Sequence, residues 1–106
     1  MSLSASSNPR FFVVVLTHTR PLDEVDRHLP AHFAFLDQAY AQGVFLLSGK
    51  RVPRSGAVIL AQASSIEDIE KYLEQEPFLY HEVSRHQVYE FVPGRSAPDL
   101  SVLQPR

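Results

Sequence analysis

One uninterrupted run, Phe11-Phe12-Val13-Val14-Val15-Leu16-Thr17, limits what this chain can become. An alternating strand shows one face to water, but this run is apolar at every position up to Thr17. It reads as a central strand covered on both faces. The chain has 106 residues, enough for one domain with a modest core and too few for two. One layer of helices covers one face of such a strand, and the other face needs a different cover.

The strongest helical pattern spans 29–42, where Leu29, Phe33, Leu36 and Tyr40 recur at helical spacing and are expected to form the packed stripe. Pro30 suits a first turn, and Gly43 supplies a left-handed residue to end the helix. His32 lies one turn before Leu36, at the edge of that stripe. Strands are expected at 11–17, 44–48, 57–62 and 85–92, with a second helix at 66–75. Ser65 is placed to cap that helix, with Asp68 three residues on, and Ile66, Ile69 and Leu73 form its apolar side. Pro77 disfavours helix at Glu76, so the helix stops there. The polar stretch 22–28 and the segment 78–83 read as turns or short helical pieces. The serine-rich residues 1–9 read as a mobile tail, and 94–106 as a polar tail with an apolar patch at Val102-Leu103.

The order is β-α-β-β-α-β. Right-handed crossovers fold it into an α+β, ferredoxin-like domain, a four-stranded antiparallel sheet with both helices on one face. The bare face then argues for a homodimer joined sheet to sheet. The formal charge of −2 is spread over interspersed acids and bases with no basic stripe, which argues against nucleic acid and against an anionic membrane surface. Without cysteine, thiolate catalysis, disulfides and cysteine-based zinc sites drop out. No apolar run approaches the roughly 20 residues of a membrane span, and no leader pattern opens the chain, so the expected compartment is the cytoplasm.

With the elements in this order, the chain resembles the YciI-like (YCII-related) family of dimeric α/β-barrel proteins. The resemblance covers 11–93. It rests on Pro30-Ala31-His32, Gly43-Val44-Phe45-Leu46-Leu47-Ser48-Gly49, Gly56-Ala57-Val58-Ile59-Leu60, Glu76-Pro77-Phe78 and Val88-Tyr89-Glu90-Phe91-Val92-Pro93. It implies a ferredoxin-like fold, a dimer, and an active site built from a histidine and an aspartate. The histidine matches His32. The aspartate of the family's Asp-Pro-Phe pattern falls on Glu76, which keeps the charge and adds a methylene, and Lys50 stands where a proline often follows the strand-two glycine. A dechlorinating, lyase-type activity is known among relatives.

The candidate catalytic pair is therefore His32 with Glu76. A carboxylate on one ring nitrogen fixes the tautomer and leaves the other nitrogen to take a proton. The plainer alternative makes His32 a packed helix residue and Glu76 a solvated acid. Candidate substrate-binding residues are His18 at the end of strand one, Ser48 and Gly49 at the end of strand two, and Arg54 in the hairpin. Gly49 is equally accounted for by a tight turn, and Lys50, Arg51 and Arg54 by a solvated loop. His28 and His32 stand four apart, but Pro30 lies between them, and His81 and His86 have no partner spacing, so no metal site is expected. The expected activity is that of a cofactor-free enzyme acting on a small metabolite as a lyase, isomerase or dehalogenase. The alternatives are a non-catalytic small-molecule or protein binding module and, by fold analogy, a haem- or quinone-handling oxygenase.

Overall fold

The computed structural model describes residues 9–103, with the Val102 side chain left aside. The expected N-terminal tail, apart from Pro9, and the last three residues lie outside the described residues. The elements run β1 (Arg10–His18), α1 (Leu22–Asp26), α2 (Leu29–Ala41), β2 (Phe45–Lys50), β3 (Gly56–Ala63), α3 (Ile66–Leu73), α4 (Pro77–Tyr80) and β4 (Ser84–Phe91). A 3-10 segment, Pro98–Leu103, kinked at Leu100, follows in the polar tail. The four-stranded sheet has the order β2-β3-β1-β4 with every pair antiparallel, which is the ferredoxin-like arrangement.

The apolar run forms β1, bonded on both edges, and its alternate residues have unequal cover. Phe12, Val14 and Leu16 are wholly buried beneath the helices, against Val25, Ala39, Ile69 and Leu73. Each such side chain contributes about 1.5–3 kcal/mol of burial. Val13 and Val15 point the other way and remain half-buried. Their cross-strand partners Leu60, Val58 and Tyr89 share that open face, as does Leu47 through its pairing with Leu60.

The packed side of α2 differs from the expected stripe. Phe33 is 55% exposed and Tyr40 40% exposed, while His32 and Ala39 are buried and Leu29, Phe35 and Leu36 pack beside them. The stripe is therefore His32, Phe35, Leu36 and Ala39, the same helical spacing rotated by one residue. Apolar ranking alone favours the large aromatic residues. A helix lying close on a sheet instead places small Ala39 at the contact and leaves Tyr40 at the rim, where its hydroxyl keeps a polar partner. The helix ends as expected: Gly43 has φ 74°, its N–H donates to the Tyr40 carbonyl, and the Val44 N–H donates to the Ala39 carbonyl.

Two details of the hairpin bear on the site. Strand β2 runs on through Gly49 to Lys50, so Gly49 stands in a strand, with open space where a Cβ would be, and no tight turn explains it. A bulge at Leu46 shifts the register, pairing Phe45 with Ala61 but Leu47 with Leu60. Strict alternation from Phe45 would put Ser48 on the open face. The extra residue rephases the strand, so Ser48 (opposite Ile59) and Lys50 (opposite Ala57) share the helix-covered face. Gly56 has φ 156°, and a Cβ there would lie 1.8 Å from the Leu16 carbonyl oxygen. Among the described residues no helix is long and apolar enough to cross a membrane.

Candidate active site

The site begins with the local chemistry of Glu76-Pro77. The proline ring pushes Glu76 out of the helical region, to φ −66° and ψ 123°, so α3 stops at Leu73 and a new turn starts at Pro77. Glu76 becomes the N-cap of α4: its Oε2 accepts from the Leu79 N–H at 3.2 Å. Its other oxygen, Oε1, accepts from Nδ1 of His32. Glu76 is 0% exposed and His32 6%. The solvated-acid alternative for Glu76 does not hold, because this carboxylate is shielded from water and has a partner on each oxygen. A carboxylate can only accept, so the shared proton belongs to Nδ1, and in the neutral ring the lone pair is then on Nε2. The extra methylene of glutamate is accommodated in a direct contact.

Phe78, two residues further on, is stacked on the His32 ring with centroids 4.0 Å apart and planes 10° from parallel. It also meets His18 edge-on at 5.4 Å. One short helix thus supplies both the carboxylate that orients His32 and the aromatic plane that supports it.

His18, His32 and Phe78 line a cavity of about 450 Å³, together with Ser48, Gly49, Lys50 and Arg54. Its walls are largely apolar, from Leu29, Phe33, Leu36 and Ile59. The two large side chains misassigned to the buried stripe find their places here: Phe33 lines the mouth, and the Tyr40 hydroxyl is hydrogen-bonded to that of Ser48. His18 hydrogen-bonds through Nδ1 to the Ser84 hydroxyl at 2.8 Å. Burial holds its pKa below the ordinary histidine value. The positive charge of Arg54, and that of His32 when it is protonated, act in the same direction, and Asp26 and Glu76 oppose them. Arg54 is paired with Asp26, and that hydrogen bond holds the Asp26 carboxyl below its usual range. Arg51 points elsewhere, donating to Thr17 Oγ1 at 2.9 Å, so it pins the hairpin to β1.

The remaining histidines lie outside this cavity. His28 stacks on His81 at 4.1 Å, and His86 pairs with Glu70 at 2.6 Å. Among the described residues no three His, Cys, Asp or Glu side chains cluster to hold a metal ion.

All six sequence-derived candidates except Glu76 line the one cavity, and Glu76 stands directly behind His32. Sequence reasoning missed Phe78, Tyr40 and Ser84. For Phe78 a signal existed in its place after Glu76-Pro77; for the other two, only strand register brings them near.

The profile of the YCII-related domain matches residues 11–92. No curated protein matches the chain by sequence. Among solved structures, 5-chloro-2-hydroxyhydroquinone dehydrochlorinase (TftG) from Burkholderia phenoliruptrix AC1100, in complex with 2,5-dihydroxybenzoquinone, is similar at a TM-score of 0.68. Identity is 19%, over 79% of this chain and 95% of that one. SnoaB, a cofactor-independent oxygenase from Streptomyces nogalater, is similar at a TM-score of 0.50 and 19% identity, over 87% of this chain and 99% of that one. At these identities the likeness is one of fold.

Proposed function

Since the chain belongs to the YCII-related domain family, we propose that it is a cofactor-free enzyme that moves a proton on a small molecule, with His32 as the base and Glu76 as its orienting partner. The observation that carries this reading is the buried His32–Glu76 pair, with Nδ1 tied to the carboxylate on a ring that lines the cavity. A lone pair held at a fixed position over a largely apolar pocket suits proton abstraction.

The substrate class that best fits is a flat, hydroxylated ring. Apolar walls with Phe33 at the mouth suit a ring face, while Ser48, the Gly49 backbone, His18, Lys50 and Arg54 offer partners to its oxygens. The quinone bound by TftG is a molecule of that kind. In a dehalogenating elimination, His32 takes a hydroxyl proton and returns it to the chlorine-bearing ring carbon. A second hydroxyl then yields its proton to His32 as chloride leaves with the C–Cl electrons, so that HCl is lost and the ring becomes a quinone. Without a leaving group the same proton transfer gives isomerisation.

The test is turnover of chlorinated and unchlorinated hydroxyhydroquinones, followed by chloride release and by ring-proton exchange in D2O. His32→Asn keeps a donor for Glu76 and removes Nε2, so it should remain folded and lose about 10²–10⁴-fold in rate. Oxygen uptake without chloride release or exchange would move the reading to an oxygenase, the activity of SnoaB. Saturable binding with no reaction would make the chain a binding module.

A further inference from the structure

His18 ends β1 at the same cavity as His32, and its ring is held from behind. It pairs directly with Ser84 at the start of β4, and Nδ1 lies 2.8 Å from the Ser84 hydroxyl oxygen. Ser84 is only 7% exposed. Among the described residues Nδ1 is that hydroxyl's partner, and with the hydroxyl as donor Nδ1 accepts and the ring proton falls on Nε2. Ser84 lies outside the cavity lining and His18 within it.

We propose that His18 is a second catalytic residue, a neutral hydrogen-bond donor through Nε2–H to a negatively charged oxygen of the substrate, and that Ser84 is the positioning residue that selects this tautomer. This rests on the reading above, in which His32 withdraws a proton from a hydroxylated molecule. Withdrawal leaves negative charge on that molecule, and a fixed donor placed where charge develops is a principal source of rate acceleration. The two imidazoles are wired oppositely. In this assignment His32 donates a hydrogen bond from Nδ1 to a carboxylate and keeps a lone pair on Nε2, whereas His18 accepts a hydrogen bond at Nδ1 and keeps the N–H on Nε2. One ring takes and the other donates. The charged and titratable neighbours of His18 are Arg54, His32, Asp26 and Glu76; burial and the Arg54 charge favour its neutral ring, and the two carboxylates oppose them.

The decisive measurement is long-range 1H–15N NMR of the full chain at pH 7, with 15N-labelled histidine and His18 assigned through His18→Gln. The expected spectrum has Nε2 protonated and Nδ1 bare. In Ser84→Ala the two tautomers should mix, and Ser84→Thr, which keeps the hydroxyl, should restore the wild-type pattern. A protonated Nδ1 or an imidazolium at pH 7 overturns the proposal, and an unchanged tautomer in Ser84→Ala removes Ser84 from it. If both Ser84 variants fail to fold, the wild-type spectrum still decides the ring state. Binding of 2,5-dihydroxybenzoquinone supplies the second arm. His18→Asn, which has no donor at the Nε2 position, should weaken it about tenfold, and His18→Gln, which keeps one, less than about threefold. Equal losses in the two variants overturn the donor role. A wild-type chain with the expected tautomer that does not take up the quinone counts against the hydroxylated-ring reading, while the tautomer still supports this assignment for His18.

Discussion

At the scale of single residues, Glu76 has the largest consequences. Its carboxylate is sealed from water, with one oxygen on His32 and the other on a backbone N–H. Removing one member of a buried pair leaves the other's charge buried without that partner, which costs about 3–5 kcal/mol. His32→Ala should therefore be destabilised by about that amount in urea unfolding, while His32→Asn, which still donates to Glu76, should lose no more than about 1–2 kcal/mol. Equal stability of the two variants would mean that Glu76 does not depend on its partner. His18 sets a pH dependence of known sign. Its folded pKa lies below the ordinary value of 6.5, so between the two the unfolded chain binds more protons. The His18 contribution is thus intact above about pH 6.5 and is lost as pH falls through that value toward the folded one. Thermal unfolding from pH 7.5 to pH 5 should show a stability loss that His18→Gln makes shallower. A steeper loss in that variant would contradict the direction of the shift.

At the scale of elements, the cavity depends on how β1 meets the hairpin. Gly56 begins β3 with its Cα against the Leu16 carbonyl, where no side chain fits. Gly56→Ala must part the two strands at the point where His18 donates its backbone N–H to the Ser55 carbonyl at 2.8 Å. The cost should be about 3 kcal/mol, read as a lowered urea midpoint with loss of quinone binding. A wild-type midpoint would show that the strands can separate freely. The β2 bulge acts in the opposite sense, adding a residue to aim a side chain. The unbroken apolar run Val44-Phe45-Leu46-Leu47 contains no mark of it, because both faces of the strand accept apolar residues. Helix ends were more legible. Ser65 accepts from the Asp68 N–H at 3.1 Å and Gly43 closes α2, since caps answer a local need for hydrogen bonds.

For the whole molecule, the open sheet face sets the remaining question. Val58, Leu47 and Tyr89 stand 42%, 65% and 53% exposed around half-buried Val13, Val15 and Leu60. We propose that a second copy of this chain covers them, sheet against sheet, burying about 800 Å² per partner as stable interfaces do. Sedimentation should give a dimer at micromolar concentration, and Val15→Lys, at the centre of the face, should yield folded monomer. A monomeric wild type would exclude this assembly.

The sequence by itself determined the element order, the caps, the central position of β1 and the halt at Glu76-Pro77. Each of these follows from backbone geometry or apolar period within a few residues, so a local reading suffices. It also put His32 and Glu76 forward as partners, through the resemblance of their flanking motifs. Only tertiary structure decided which side of α2 is buried, because His32, Phe35, Leu36 and Ala39 fit helical spacing as well as Leu29, Phe33, Leu36 and Tyr40 do. Only strand register brought Ser48 to Tyr40, and Ser84 to His18 across 66 positions of chain. A hydrogen bond between side chains so far apart leaves no period or cap in either segment. It exists because the sheet sets two strands side by side.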